Sequence, residues 1–207
     1  ACTDVDQLSL MPAVARAFSK RLPRAVLHVM SVDHLESLGG LARAEVDAAL
    51  APPLPPTPGL HAARLYEDEA VLVVRRGHPA ARGPMTRERF NALRHIDIRV
   101  VLGERGQGNR MAEAMLRRHG LVRDIAAIVP GFSAALMLAA STDLVAGVPR
   151  RIASALADAL SLKLIDVPGP PLRFPMQLVW HERTHADAGS RCFRELILEV
   201  AAGAPRA

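Results

Sequence analysis

Short apolar runs alternate with amphipathic segments along most of the chain, and this alternation predicts an α/β protein. The most informative stretch is ASTDLVAGVPRRIA, residues 140–153. Its Ser-Thr-Asp start favours a turn, the apolar run from Leu144 to Val148 is typical of a short buried strand, and Pro149 suits the first turn of a following helix. The small residues Ala146 and Gly147 would allow a close approach to this strand. Ligand clefts of α/β proteins form at such strand ends.

Hydrophobic periodicity predicts the order of elements along the whole chain. Apolar or β-branched runs predict strands at residues 25–30, 46–50, 60–66, 70–75, 95–102, 125–129, 144–148, 162–167 and 174–180. Apolar residues at helical spacing predict helices at residues 11–22, 33–41, 86–93, 109–119, 133–140, 150–159 and 187–201. Local signals predict helix caps at Asp33, Thr86, Ser133 and Asp187, a helix end at Gly120, and an acidic turn at residues 67–69.

The chain is long enough to bury one large core or two small ones. Glycine and proline interrupt the regular elements at residues 76–84 and 168–173, and these two zones bracket a middle α/β segment. We therefore expect one subdomain built from residues 1–75 and 174–207, and a second built from residues 76–173. Two chain crossings between two lobes would form a hinge with a cleft.

The composition narrows the class of protein. Half of the residues are hydrophobic and 23% are charged, as in an ordinary globular protein. The net charge of +5 is spread along the chain. Nucleic-acid binding is one interpretation of this charge, but solvent-exposed arginines are favoured. Cys2 and Cys192 are expected to be reduced thiols, and the sequence contains no Cys/His cluster of the zinc-finger type.

The sequence also bears on location. No apolar run reaches the roughly 18 residues of a membrane-spanning helix. No secretion signal is visible at the start, ACTD, which lacks Met and is typical of a fragment. We therefore expect a cytoplasmic protein that has no membrane contact and no cofactor.

The segment from His181 to His185 matches H-E-x-x-H, the pattern that places both histidines of a zinc protease on one helix face. Here the pattern follows a predicted strand, and Gly189 comes soon after it. Only the 22 residues after His185 remain downstream to supply a third ligand. A strand-end loop is therefore favoured and no metal site is expected. A hydrolase or metalloenzyme using His181, Glu182 and His185 stays a rival that requires a helix at this place.

Three weaker motifs offer further candidates. Gly103–Arg110 nearly matches a phosphate-binding loop, but Asn109 stands where that loop needs lysine. Its helix-start amides could hold a small anion, and a plain turn is an equal alternative. Gly131–Ser133 resembles half of a nucleophile elbow without the second glycine, so Ser133 is expected to cap a helix and no enzyme is expected. Thr3–Asp4 is expected to cap a helix, with a place in the cleft wall as the alternative.

Several segments, in this order and spacing, resemble the effector-binding domain of LysR-type transcriptional regulators. They are Thr3–Asp4 with Leu10–Pro12, Ala44–Asp47, Leu65–Pro79 and Thr142–Ala153. Within this family, Thr142–Ala153 together with Val129–Phe132 and Trp180–His181 resembles the branch that responds to aromatic compounds such as salicylate and nitroaromatics. The resemblance covers nearly the whole chain.

This resemblance implies an α/β, two-lobed fold of the type 2 periplasmic-binding-protein kind, with two crossover strands and an interlobe cleft. It implies that a small-molecule effector in the cleft modulates a DNA-bound oligomer. It also implies a homodimer, a tetramer in the full-length protein, and DNA contact only through an N-terminal winged helix-turn-helix that is absent from this chain. A periplasmic solute-binding protein of the same fold is the alternative.

By position, the resemblance implies an effector site at Thr3, Asp4, Leu10, His34, Gln107, Gly108, Gly131, Phe132 and Phe174. Aromatic-responsive members of the family often carry histidine at the positions that match Gln107 and Gly131. In this chain Gln107 can donate and accept hydrogen bonds but carries no charge, and Gly131 vacates volume. A larger or less charged effector is therefore favoured as much as an aromatic acid.

Overall fold

A computed structural model of the protein describes residues 1–32, 39–100 and 107–203. These residues form two compact units. Unit 1 consists of Ala1–Glu67 and, among the described residues, the chain over 174–203, and unit 2 consists of Asp68–Arg173. The chain therefore passes from one unit to the other twice. The first passage lies at residues 67–68, eight residues before the subdomain boundary predicted at residue 75.

Helices and strands are distributed over both units. Unit 1 contains α1 (Asp4–Ser9), α2 (Met11–Arg21), α3 (Gly39–Ala42), α8 (Ala188–Gly203), β1 (Ala49–Ala51), β7 (Arg173–His181) and the first half of β2 (Leu60–Arg75). Unit 2 contains the second half of β2 with α4 (Arg87–Asn91), β3 (Arg94–Ile98), α5 (Gln107–Arg118), β4 (Asp124–Val129), α6 (Phe132–Ser141), β5 (Val145–Pro149), α7 (Arg150–Leu156) and β6 (Leu162–Asp166). Within the described part of the chain, every helix is too short or too polar to span a bilayer.

The core of unit 1 forms where α2 and α8 pack on the strands. Helix α2 has proline in its first turn, which suits a helix start. It buries Val14 and Phe18, which lie four residues apart and so share one face. Phe18 meets Phe193 of α8 edge to face, with ring centroids 5.7 Å apart. Strand β7 carries fully buried Leu178 into the same cluster and pairs antiparallel with β1.

The sheet of unit 2 is mixed. Strand β2 pairs antiparallel with both β5 and β6, and β3 pairs parallel with β5 on one side and β4 on the other. The β2 residues Val71–Val74 are buried, as expected for a central strand with partners on both sides. This arrangement confirms the α/β class that the sequence predicts.

Local sequence signals set three helix ends as predicted. The Thr86 hydroxyl accepts a hydrogen bond from the Arg89 amide at 3.3 Å, and the Asp187 carboxylate accepts one from the Ser190 amide at 2.7 Å. Gly120 follows α5 with φ of +65°, a conformation that glycine adopts without strain. The next amide, that of Leu121, returns to the helix and donates to the Leu116 carbonyl at 3.0 Å.

The strand predicted at residues 25–30 is wrong. Residues 26–30 form neither helix nor strand, and the pairing that the described residues show beside them is an isolated bridge between Ser31 and Cys2. Val26 is 91% exposed and Val29 39% exposed, so the two β-branched residues that suggested a strand have little apolar surface to cover them. β-propensity depends on such packing, and it does not make a strand alone. The helix predicted at residues 33–41 lies largely outside the described residues, and α3 covers its last part.

The acidic turn predicted at residues 67–69 is also wrong, because β2 runs without interruption through these residues. Asp68 is buried, and its Oδ1 accepts from the amides of Glu69 at 2.8 Å and Arg151 at 3.3 Å. Glu69 pairs with Arg150 at 2.5 Å. Burial raises the pKa of the Asp68 carboxyl above its ordinary value, against the lowering effect of these amides. Partners from α7 thus bind two of the three acidic residues, Asp68 and Glu69, within the strand.

Three smaller expectations need correction. Ser133 does not cap α6, because the helix begins at Phe132 with Gly131 at the N-cap. Thr3 does occupy the N-cap position of α1, but its side chain makes no capping hydrogen bond. At Gly147 a Cβ atom would meet only Leu72, at 4.0 Å, so no described atom requires a small residue there.

Both cysteines are free thiols, as the sequence predicts. Cys2 is buried, and burial, with a smaller effect of Asp6, raises the pKa of its thiol to about 12. A thiol with so high a pKa is a poor nucleophile at neutral pH.

His95 gives a prediction about the pH dependence of stability. The ring is 1% exposed, and Nε2 donates to the Phe90 carbonyl at 3.0 Å. Burial lowers the pKa of this imidazole below its ordinary value of 6.5, so the unfolded chain takes up the proton first as the pH falls. The stability from neutral His95 is therefore present above pH 6.5 and is lost progressively below it. A tenfold difference in proton affinity is worth about 1.4 kcal/mol.

Urea denaturation at a series of pH values between 7 and 5, which span the ordinary pKa of 6.5, measures this effect. We expect His95→Gln to flatten the fall in unfolding free energy, because glutamine keeps a donor for the Phe90 carbonyl and does not titrate. His28→Gln, at an exposed position, is the control that leaves the slope unchanged. Equal slopes for wild type and His95→Gln would contradict the prediction.

Candidate functional site

The carboxyl ends of three parallel strands meet at one edge of the unit 2 sheet. Strands β3, β4 and β5 run in the same direction and end at Ile98, Val129 and Pro149. Helix α6 begins three residues after β4 ends, and α7 directly follows β5. Ligands of open α/β sheets bind at this edge, because the loops and helix starts that follow the strands gather there.

Four predicted site residues lie in unit 2. Gly131 is the N-cap of α6 and has an extended backbone, with φ of −153° and ψ of 160°. As a glycine it has no side chain that could cap the helix. Phe132 is half-buried and forms the first position of that helix. Gln107 and Gly108 open helix α5, and their side chains lie outside the described part of the chain. Gly131 and Phe132 therefore lie at the carboxyl edge.

Four others lie in unit 1. Thr3 and Asp4 are half-buried at the start of α1. Leu10 is 1% exposed and belongs to the hydrophobic core, so its side chain offers almost no surface to a ligand. Phe174, in β7, packs partly buried against the same core. His34 lies outside the described residues.

An ion-pair network, which the sequence patterns did not indicate, fixes the end of β3. Asp97 accepts hydrogen bonds from Arg99 and Arg123, each at 2.9 Å, and Arg123 also contacts Glu113 of α5. Burial alone would raise the pKa of Asp97, but the hydrogen bonds from Arg99 and the charge of Arg123 outweigh it and hold that pKa below its ordinary value. The network joins β3 to the helix that opens with Gln107.

The H-E-x-x-H segment is not a helix, which confirms the strand-end prediction and excludes the zinc-protease rival. Strand β7 ends at His181, and a 3₁₀ turn covers Glu182–Thr184 before α8 begins at Ala188. The side chain of His181 caps this turn, because its Nδ1 accepts from the Arg183 amide at 3.2 Å. The two histidines of the pattern therefore do not share a helix face.

A second cluster of polar side chains surrounds this turn. His61, at the start of β2, contacts the Glu182 carboxylate through Nε2, and its ring stacks on His185 with centroids 4.2 Å apart. Trp180 donates from its indole Nε1 to Nδ1 of His185 at 3.2 Å. Nothing in the sequence pattern pointed to His61, because 121 residues separate it from Glu182.

Comparison with known proteins finds one family along nearly the whole chain. The model of the LysR substrate binding domain matches residues 1–202. The transcriptional activator NahR of Pseudomonas putida is 28% identical over 202 residues, which are 97% of this chain and 65% of NahR. NahR is named an HTH-type activator, and this chain spans less than two thirds of its length.

Solved structures share the fold. The regulatory domain of MexT, a transcriptional activator in Pseudomonas aeruginosa, matches with a TM-score of 0.80 and 21% identity over 96% of both chains. The effector binding domain of QuiR, in complex with shikimate, matches with a TM-score of 0.77 and 14% identity over 97% of this chain and 94% of that one. These neighbours confirm the predicted fold of the type 2 periplasmic-binding-protein kind. On the match of residues 1–202, the chain belongs to the family of LysR substrate-binding domains.

Proposed function

We propose that this chain is the effector-sensing part of a longer bacterial transcriptional regulator and that it binds a small molecule at the carboxyl edge of the unit 2 sheet. The observation that carries the proposal is the start of α6 at this edge, directly beside the ends of β3 and β4. Gln107, Gly108, Gly131 and Phe132 are the residues we assign to the site in unit 2. Thr3, Asp4 and Phe174 are the assigned residues of unit 1, and the interlobe position of the site stays a prediction.

The start of α6 suits a ligand that accepts hydrogen bonds. A helix start offers amide donors and a partial positive charge. At α6 the N-cap residue is glycine, so no cap side chain occupies the place beside these amides. Phe132 adds an apolar surface next to them. A molecule with a carboxylate or carbonyl group and an apolar body fits this combination, and the shikimate held by QuiR is a small carboxylate on the same fold.

A bound effector shifts the conformational equilibrium of a regulator only if it binds one conformational state more tightly than another. We propose that the resulting shift between conformational states is transmitted to a DNA-contacting part outside the chain. We propose that this takes place in a cytoplasmic dimer or larger oligomer. NahR is named an HTH-type transcriptional activator. The similarity to NahR therefore favours a transcriptional regulator over the alternative of a periplasmic solute-binding protein.

Titration calorimetry with a panel of aromatic acids, phenols and amino-acid-like metabolites tests the proposal. We expect at least one compound to bind one site per chain. Phe132→Ala should weaken that binding about tenfold, because truncation removes roughly 1.4 kcal/mol of apolar contact. Gln107→Ala should weaken it by a similar factor through a lost hydrogen bond.

Met137→Ala is the matched control, since Met137 is exposed on the same helix α6. This variant should bind the compound as the wild type does. If no compound of the panel binds, or if Phe132→Ala and Gln107→Ala both bind it with unchanged affinity, the site assignment fails.

A further inference from the structure

Three side chains of unit 1 that take no part in the proposed effector site are arranged like metal ligands. His61 lies at the start of β2, Glu182 lies in the 3₁₀ turn after β7, and His185 follows that turn. One ligand atom from each of the three lies within 4.8 Å of the other two. We propose that His61, Glu182 and His185 form a binding site for Zn²⁺ or a divalent transition metal of the same class.

The donor set suits such an ion. Two imidazoles with one carboxylate are ligands that zinc prefers, and copper and nickel also favour imidazole. Bonds of about 2.0–2.2 Å to a tetrahedral ion require ligand atoms roughly 3.4 Å apart. Modest side-chain rotations therefore suffice to bring the three ligand atoms, which lie within 4.8 Å of one another, to this separation. His61 is 34% exposed and Glu182 61% exposed, so both side chains have room to rotate and water can complete the coordination.

The backbone that carries the ligands is fixed by contacts that do not use the ligand side chains. The Glu182 amide donates to the Gly59 carbonyl at 2.8 Å, two residues before His61. Buried Arg194 donates to the carbonyls of Thr184 at 2.9 Å and His185 at 2.8 Å. Ligand positions held in advance by other bonds lower the cost of assembling a site.

Gly59 has a specific place in this arrangement. Its φ is +78°, and a Cβ atom there would lie 2.9 Å from Nε2 of His181. Glycine therefore lets His181 lie over the turn that precedes β2. His181 uses its Nδ1 to accept from the Arg183 amide and is not one of the three ligands, so the site takes two residues from the H-E-x-x-H pattern and its third ligand from β2.

One nearby charge and one existing contact of the cluster lower its affinity for a metal ion. The guanidinium of Arg194 lies 4.8 Å from the centre of the Trp180 ring, and its positive charge is unfavourable to a nearby cation. The ion must also displace the contact between His61 and Glu182. We therefore expect binding that is reversible and weaker than that of a structural zinc site with four protein ligands.

Trp180 reports on the site directly. It is the single tryptophan of the chain, it stacks on His61 with centroids 5.7 Å apart, and it donates to Nδ1 of His185. A neutral imidazole that binds a metal through one nitrogen carries its proton on the other. Coordination through either nitrogen of His185 therefore ends the hydrogen bond from Trp180, and tryptophan fluorescence must change.

The test is a Zn²⁺ titration of the purified chain against a chelating dye, followed in parallel by tryptophan fluorescence. We expect one equivalent of Zn²⁺ to bind and to change the fluorescence with the same midpoint, whereas Mg²⁺ and Ca²⁺ leave it unchanged. His61→Ala, Glu182→Gln and His185→Ala should each weaken this binding at least about tenfold. Far-UV circular dichroism checks that each variant is folded.

His28→Ala is the matched control, because His28 is an exposed histidine of the same unit. It should bind Zn²⁺ as the wild type does. Zn²⁺ binding that is absent, that leaves the fluorescence unchanged, or that persists with equal affinity in the three ligand variants would overturn the proposal. Calorimetry with effector compounds is independent of this test, so either proposal can fail alone.

Discussion

Arg194→Ala is expected to lower the free energy of unfolding of unit 1 by about 3 kcal/mol. Arg194 is 6% exposed, and its guanidinium donates to two backbone carbonyls, those of Thr184 and His185. Alanine would leave both carbonyls without these donors. Loss of the partner of a buried acceptor, here the Thr184 carbonyl, costs about 1–3 kcal/mol, and the part-buried His185 carbonyl adds a smaller cost. The variant also loses the contact between the guanidinium and the ring of Trp180.

Urea denaturation followed by Trp180 fluorescence measures this loss, because the single tryptophan lies in unit 1 beside Arg194. Arg191→Ala is the matched control, since Arg191 is exposed on the same helix α8. It should change the free energy of unfolding by less than about 0.5 kcal/mol. A loss below about 1 kcal/mol in Arg194→Ala would mean that its two hydrogen bonds do not hold the turn after β7.

Leu178→Ala is expected to cost a comparable amount, about 3 kcal/mol within a range of roughly 2–5 kcal/mol. Leu178 is 0% exposed in the centre of β7, where it packs in the core cluster that includes residues of α2 and α8. Truncation removes buried apolar surface and leaves a cavity, because close-packed neighbours relax only in part.

The same fluorescence-monitored urea denaturation measures this cost. Leu8→Ala is its control, because Leu8 is 41% exposed on α1 and its truncation opens no buried cavity. We expect that control to cost less than about 1 kcal/mol. Equal effects of the two leucine substitutions would contradict the placement of Leu178 at the core.

Local chemistry predicted much of this fold. Thr86, Asp187 and Gly120 set helix ends through hydrogen bonds between residues three to five positions apart, and such short-range bonds can be foreseen from sequence. The buried run of β5 was equally clear, because a short apolar segment before a proline has few alternatives. The α/β class follows from these local signals taken in order.

Features that depend on distant partners were not predictable in this way. Asp68 and Glu69 lie in a strand where α7, more than 80 positions away, supplies an amide and an arginine as their partners. Residues 25–30 have β-branched side chains, but no described strand pairs along them. His61 joins Glu182 only through the fold. The presence or absence of tertiary contacts decided each of these features.

For the effector site, the residue positions came from a family resemblance and not from chemistry visible in the sequence. Gly131 and Phe132 lie at the carboxyl edge of parallel strands, and this is the edge at which open α/β sheets bind their ligands. Leu10 shows the limit of assignment by position, because a core leucine can occupy an aligned place without reaching a ligand.

The central claim is that a small molecule bound by this chain controls transcription. The most direct measurement is the transcriptional response of the longer regulator to increasing concentrations of a compound that binds the chain in calorimetry, compared between wild type and Phe132→Ala. We expect Phe132→Ala to shift the midpoint of the response by the same factor of about ten by which it weakens binding. A response whose midpoint stays in place while binding weakens would contradict the claim.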